Sequence, residues 1–158
     1  MTEIDRTDRQ ILALLSKNAR MSNKELAHAV GLSASSVHER TKRLLESDLN
    51  LGAHLSIDLD QLGLSLKALL FVQMSEHQKQ DLDRFVQEVL AFPEVRAAWM
   101  ITGKFDALVE LAARDTRHLH RVVVEKFSSR PEVHRIETSI IFDGARQHDL
   151  SATLDLVS

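Results

Sequence analysis

The chain has 158 residues, 44% hydrophobic and 27% charged, with a formal net charge of −3 and no cysteine. That length suits one or two small domains with true cores, and the missing cysteine excludes disulfides, thiolate metal sites and thiol nucleophiles. The N-terminus MTEIDRTDRQ is polar, and no apolar run approaches the roughly eighteen residues a membrane span needs, so a cytoplasmic protein without a membrane partner is expected.

Charge is distributed unevenly. Residues 1–50 hold eight Lys/Arg against seven Asp/Glu, or +1, and residues 51–158 hold twelve against sixteen, or −4. Residues 5–17 read as a first helix, with Ile11, Leu12, Leu14 and Leu15 on an apolar face. Asp5 and Asp8 lie near its start, where the helix dipole favours negative charge. From Ser22 to Leu45 (SNKELAHAVGLSASSVHERTKRLL) the pattern is two short helices joined by a tight turn. Ser22 caps the first, and Glu25, three residues on, returns the bond in a capping box. Leu26, Ala27 and Val30 share one face, and Gly31 sits where the helix must stop and the chain must turn. Ser33 caps the second helix, whose inward stripe is Val37, Thr41, Leu44 and Leu45.

Those features describe a helix-turn-helix, whose second helix enters the DNA major groove. With Val37 inward, Ser35, Ser36, His38, Glu39, Lys42 and Arg43 point away from the core. Together with Ser22, Asn23, Lys24, Ser33 and Arg40, they are the candidate contacts to double-stranded DNA. The competing reading is an ordinary solvated helix face. Cations are few here (Lys24, Arg40, Lys42 and Arg43, with Arg20 nearby), so one copy should bind weakly. A symmetric dimer on two half-sites would recover affinity.

After Leu45 the period becomes two. Leu49, Leu51, Ala53, Leu55 and Ile57 alternate with polar or small residues, which predicts a strand. Residues 58–65 form a polar connection containing Gly63. Leu66–Met74 is an apolar strand, and Gln80–Ala91 is a helix with Leu82, Phe85, Val86, Val89 and Leu90 on one side. Pro93-Glu94-Val95 then opens a strand to Thr102, and Ala107–Ala113 is a third strand. Thr116–Ser128 is a helix carrying Leu119, Val122, Val123 and Phe127, and Pro131-Glu132-Val133 opens the last strand, through Ile141. The same Pro-Glu-Val signal at both helix-to-strand junctions marks two βαβ halves, because Pro ends a helix and favours extension before it. Strand-helix-strand, twice, is the ferredoxin-like βαββαβ arrangement, with two helices on one sheet face. The other face is expected to meet another subunit. Trp99, alternating with Ala97 and Ile101, is expected in a core or an interface.

The fold class is therefore α+β. A winged-helix-like helix-turn-helix domain occupies residues 1–50 and a linker strand and connection 51–65. The ferredoxin-like domain spans 66–142, and a tail covers 143–158, where Leu150, Leu154 and Val157 are spaced for a short amphipathic helix. Between the βαβ halves, Thr102-Gly103-Lys104-Phe105-Asp106 is a tight link that reads as either a hairpin turn or a ligand site. Gly103 is free to take positive φ there, and Asp106 can cap exposed amides.

The whole chain resembles the Lrp/AsnC family, the leucine-responsive or feast/famine regulators of bacteria and archaea. The matching stretches are DRTDRQILALL (residues 5–15), Asn18-Ala19-Arg20, SNKELAHAVGLSASSVHERTKRLLE, and Thr102-Gly103-x-Phe105-Asp106, which resembles the family's Gly-x-Tyr/Phe-Asp signature. The resemblance covers nearly all of residues 3–142. It implies a homodimer formed through the sheets, able to assemble into an octamer of four dimers. It also implies a small effector, commonly an amino acid, bound between effector domains. The family's loop carries over onto Gly103, Phe105 and Asp106, and its effector-responsive positions onto Met100, Thr102 and Thr116, with Ser139, Ile140 and Ile141. In such a site the amides near Gly103 would hold the effector's carboxylate and Asp106 its ammonium, with Met100 and Ile140 touching the side chain. One departure lies after the second helix of the motif: the run Asp48 to Ala53 keeps only the second of two family glycines, Gly52, and lacks the aromatic that follows it.

No other chemistry is legible. His118 and His120 are two apart and on different faces of a helix, and Glu76-His77 and Glu132-x-His134 read as solvated. No resident cofactor, metal or enzymatic activity is expected. The enzyme alternative resembles the sirohaem decarboxylases, which share this architecture but carry a His-Asn-Tyr run absent here. A third reading is an amino-acid sensor that has lost DNA binding.

Overall fold

The computed structural model describes residues 4–49, 52–75 and 79–155. The chain divides into a unit of residues 1–56 and 145–158 and a unit of residues 57–144.

In the first unit, helix α1 (Arg6–Lys17) starts with a reciprocal cap. The Asp8 amide donates to Asp5 Oδ1 at 2.8 Å, and the Asp5 amide to Asp8 Oδ2 at 3.2 Å. Helix α2 (Asn23–Val30) has the expected Ser22–Glu25 capping box and ends at Gly31, whose φ of 70° is the left-handed conformation that a glycine adopts without steric cost. Helix α3 (Ala34–Leu45) is capped by Ser33 Oγ, which accepts from the Ser36 amide. Ile11, Leu26, Ala27, Val37 and Leu44 form the buried core of the three helices.

Leu45 is 46% exposed rather than inward. Val37, Thr41 and Leu44 fall at i, i+4 and i+7, and the next residue lies about 100° further round the helix. Thr41 is buried, and its Oγ1 has no hydrogen-bond partner among the described residues. Thr41→Val should therefore raise the stability of this unit by about 1 kcal/mol, read as a higher urea midpoint. A lower midpoint would show that the hydroxyl is bonded in solution.

The C-terminal residues return to this unit. Lys17 Nζ pairs with Asp149 Oδ2 at 2.9 Å, and the Leu150 amide donates to Ser16 Oγ at 3.1 Å. The Ser151 hydroxyl and amide, then Lys17, pull the Asp149 carboxyl down to about 2. A short helix α6 (Ser151–Asp155) follows and packs on α1. Leu154 is half-buried, and Val157 lies outside the described residues.

The strand expected from Leu49 to Ile57 does not form. Residues 52–58 have no regular structure, and Leu55 is 81% exposed. Residues 50 and 51 lie outside the described residues. Alternation alone makes no strand, because the backbone groups need a neighbouring strand to pair with, and none among the described residues pairs with this segment.

The second unit is an antiparallel sheet of β1 (Leu66–Met74), β2 (Val95–Met100), β3 (Ala107–Ala113) and β4 (Val133–Ile141), in the order β2-β3-β1-β4. The expected strand to Thr102 ends two residues earlier, at Met100. Helix α4 (Lys79–Val89) likewise ends two residues before Ala91, and Leu90 is exposed. Helix α5 (Thr116–Val123) is the first part of the helix expected to Ser128; it continues as a π-helical segment, Val124–Ser128, which sends Phe127 into the core.

Burial alternates along β1. Ala68, Leu70, Val72 and Met74 pack against Phe85, Val89, Leu119, Val122 and Phe127 of the helices. Lys67, Leu69, Phe71 and Gln73 face the other way, without a covering layer among the described residues of this unit. Phe71 lies opposite Leu108 on one side and Glu137 on the other, and Trp99 lies opposite Leu108. Trp99 is 43% exposed and thus belongs to this bare face rather than to the core.

Candidate functional site

The outward row of α3 stands as the sequence implies: Ser35, Ser36, His38, Glu39, Lys42 and Arg43 are exposed, as are Ser22, Lys24 and Ser33. Several of these groups are already engaged. Ser33 Oγ donates to Ser36 Oγ at 2.9 Å and lies 3.1 Å from Ser35 Oγ, so the start of α3 is a small hydroxyl cluster. Asn23 Nδ2 lies 3.0 Å from His38 Nδ1. This bond ties the start of α2 to the outer face of α3.

Arg40 and Arg43 carry ion pairs that the sequence does not signal. Arg40 Nη1 donates to Asp5 Oδ2 at 2.6 Å and to Asp8 Oδ1 at 2.8 Å. Arg43 Nη2 donates to Asp8 Oδ2 at 2.6 Å. Asp8 is 1% exposed, so a buried carboxylate on α1 anchors two arginines of α3. Bonds from Asp5, then from Asp8, push the Arg40 guanidinium above its ordinary range. The two arginines are therefore balanced by two carboxylates. Lys24 and Lys42 are the candidate cations with no acidic partner among the described residues. Sequence spacing signals none of this, because the partners are 32 and 35 residues apart.

In the second unit, Met100, Thr102, Gly103, Phe105 and Asp106 gather at the β2–β3 hairpin. Gly103 has φ of 119°, and its amide has no hydrogen bond to a described residue. The Ile101 amide donates to the Asp106 carbonyl at 2.9 Å and closes the loop. The Phe105 ring packs on Phe71 at 5.6 Å, and Lys104 Nζ lies 4.8 Å from the Phe105 ring centroid and 2.7 Å from Glu137 Oε1. The Asp106 carboxylate, the acceptor expected for an ammonium group, also accepts from the Met74 amide through Oδ2 at 2.8 Å. It closes the end of β1, a task visible only once the loop and the strand lie side by side.

Ser139, Ile140 and Ile141 lie elsewhere on the sheet. They face Leu69, Ala68 and Lys67, whereas the Asp106 amide meets Val72. At roughly 3.3 Å per residue that is about 10–17 Å along the sheet. Thr116, at the start of α5, follows the far end of β3. Register also divides the trio: Ser139 and Ile141 share the bare face, and Ile140 points to the helix side. One subunit thus holds two separate groups of candidate residues. Among the described residues no cluster of His, Asp and Glu is placed to hold a metal ion, and no helix is long and apolar enough to cross a membrane.

Comparison with known proteins matches these two units. The AsnC-type helix-turn-helix domain covers residues 4–45, and the Lrp/AsnC ligand binding domain covers residues 67–150. AldR of Mycobacterium tuberculosis, an HTH-type transcriptional regulator, is 34% identical over 144 residues, which is 91% of this chain and 80% of AldR. The proline dehydrogenase transcriptional activator of Rhizobium radiobacter is 32% identical over 92% of this chain and 93% of its own. Among solved structures, a transcriptional regulator of Neisseria meningitidis in complex with L-Met superposes with a TM-score of 0.85 at 25% identity, covering 92% of this chain and 94% of that one. AsnC of Escherichia coli gives 0.81 at 25% identity, over 92% and 97%. The chain belongs to the Lrp/AsnC family: it is a DNA-binding transcriptional regulator that joins a helix-turn-helix unit to a ligand-binding domain.

Proposed function

We propose that the protein acts in the cytoplasm as a homodimer that reads two DNA half-sites with α3, and that an amino acid bound between ligand-binding domains tunes its assembly or operator affinity. The carrying observation is the pairing of an exposed, hydroxyl-rich start of α3 with the Asn23–His38 bond, which presents both helices of the motif as one surface. Ser22, Asn23 and Lys24 then hold the phosphates with Lys42, while Ser35, Ser36, His38 and Glu39 face base edges. Arg40 and Arg43 set the pose of α3.

Dimerisation is supported by the bare sheet face, with Leu69, Phe71, Trp99 and Leu108, and by the exposed 53–58 segment, which belongs to no sheet among the described residues. Pairing with the same segment of a second copy would complete the strand that alternation predicts. The separation of Thr116 and Ser139–Ile141 from the hairpin supports an effector site assembled from more than one copy. The Gly103 amide, which has no hydrogen bond among the described residues, suits a carboxylate. The amino-acid class rests on that chemistry and on the L-Met complex of the Neisseria regulator.

The test is fluorescence anisotropy on promoter DNA from its own or the neighbouring gene, across salt concentrations, with and without single amino acids. Sequence-selective binding that weakens steeply with salt is expected. Lys24→Ala with Lys42→Ala should lower the salt slope by about one unit per lysine in each subunit. A slope unchanged in that double variant would remove these lysines from the interface. Absence of any selective binding would defeat the operator-reading model.

A further inference from the structure

The helical unit carries a cavity of about 550 Å³ between α1, the end of α2 and α6, at the far end of α2 from Ser22–Lys24. Its walls are of two kinds. Ala13, Leu14, Val30 and Leu154 are apolar, and Arg6 and Arg9, with the uncharged Gln10 and Ser151, are polar. Those arginines are three residues apart on α1 and therefore neighbours on one helix face. Among the described residues neither has an ion-pair partner, and no acidic side chain described there lines the cavity. The carboxylates of the same helix turn, Asp5 and Asp8, are committed to Arg40 and Arg43 on α3. Leu154 reaches the cavity because the Lys17–Asp149 pair and the Leu150–Ser16 bond dock the C-terminal segment on α1.

We infer that this cavity binds a small amphipathic carboxylate, whose charged end is held by Arg6 and Arg9 and whose short apolar body lies against Ala13, Leu14, Val30 and Leu154. Two adjacent guanidiniums offer fork-shaped donors that match a carboxylate and repel cations. The apolar wall favours an occupant with an apolar body over an inorganic anion, which gains nothing from it. The volume falls within the range of small-molecule sites. An occupant touches α1, α2 and α6 together, so it would clamp the C-terminal segment onto the DNA-binding unit. This site is separate from the ligand-binding domain and from any effector held there.

The experiment is isothermal titration of the full chain with hexanoate, and with hexanol and acetate as controls. Hexanoate should bind one per chain, and hexanol and acetate each at least tenfold more weakly. Arg6→Gln with Arg9→Gln should weaken hexanoate at least tenfold, and Leu154→Ala should weaken it while leaving the acetate signal unchanged. Hexanoate binding that survives the double arginine variant, equal binding of hexanol, or no hexanoate binding at all would each overturn the assignment.

Discussion

Phe127→Ala is expected to destabilise the ligand-binding unit by about 4 kcal/mol, the range for removing a fully buried aromatic ring. Phe127 is 0% exposed and makes edge contacts with Phe85 at 6.5 Å and Phe92 at 5.9 Å, so one substitution opens the centre of the helix–sheet core. The π-helical turn at Val124–Ser128 delivers the ring to that place, and the gap cannot close without unwinding it. For a unit of this size the midpoint of thermal unfolding should fall by roughly 20 °C. The core of the helix-turn-helix unit contains none of these residues, so the Ile11–Leu26–Val37 cluster should keep its own transition. Differential scanning calorimetry with two resolved transitions checks this. A common shift of both would show that the units unfold together.

The next largest effect is expected at Asp8. Its carboxylate accepts from Arg40, Arg43 and the Asp5 amide while being almost wholly buried. Asp8→Asn keeps the shape but removes the charge and turns an amide NH2 toward a guanidinium. About 2–3 kcal/mol of stability in the helical unit should be lost, read from urea denaturation. The DNA readout should move in the opposite sense for non-specific binding. With one balancing carboxylate gone, the α3 face gains positive charge, so the salt slope should steepen while selectivity between operator and random DNA falls. Lower affinity with an unchanged slope would mean that Asp8 acts on folding alone.

The same network carries a pH dependence. The Asp5 carboxyl is held below its ordinary value of 3.8, first by the Asp8 amide and next by Arg40. A depressed carboxyl stabilises the fold fully above its unfolded value and loses that contribution as pH falls through the folded one. Stability should therefore drop below about pH 4, and part of that drop should be absent from Asp5→Asn.

The sequence by itself determined what is local. Ser22 with Glu25, Ser33 with Ser36, and Gly31 at the turn act within four residues, so their spacing identifies the helix-turn-helix without any fold. The apolar runs of Leu66–Met74 and Ala107–Ala113 and the repeated Pro-Glu-Val likewise place the strands and both helix-to-strand junctions. Contacts between residues far apart in the chain have no such periodic signature. Only the tertiary structure decided that Asp5 and Asp8 restrain Arg40 and Arg43, and that Asn23 bonds His38. It alone committed Asp106 to the Met74 amide and returned residues 145–155 to α1. It also separated the hairpin from Ser139–Ile141, because antiparallel register sets which end of a strand meets which. The alternation of residues 49–57 shows the limit from the other side: a period of two specifies a strand's faces, but the backbone bonds that make it a strand must come from a neighbour.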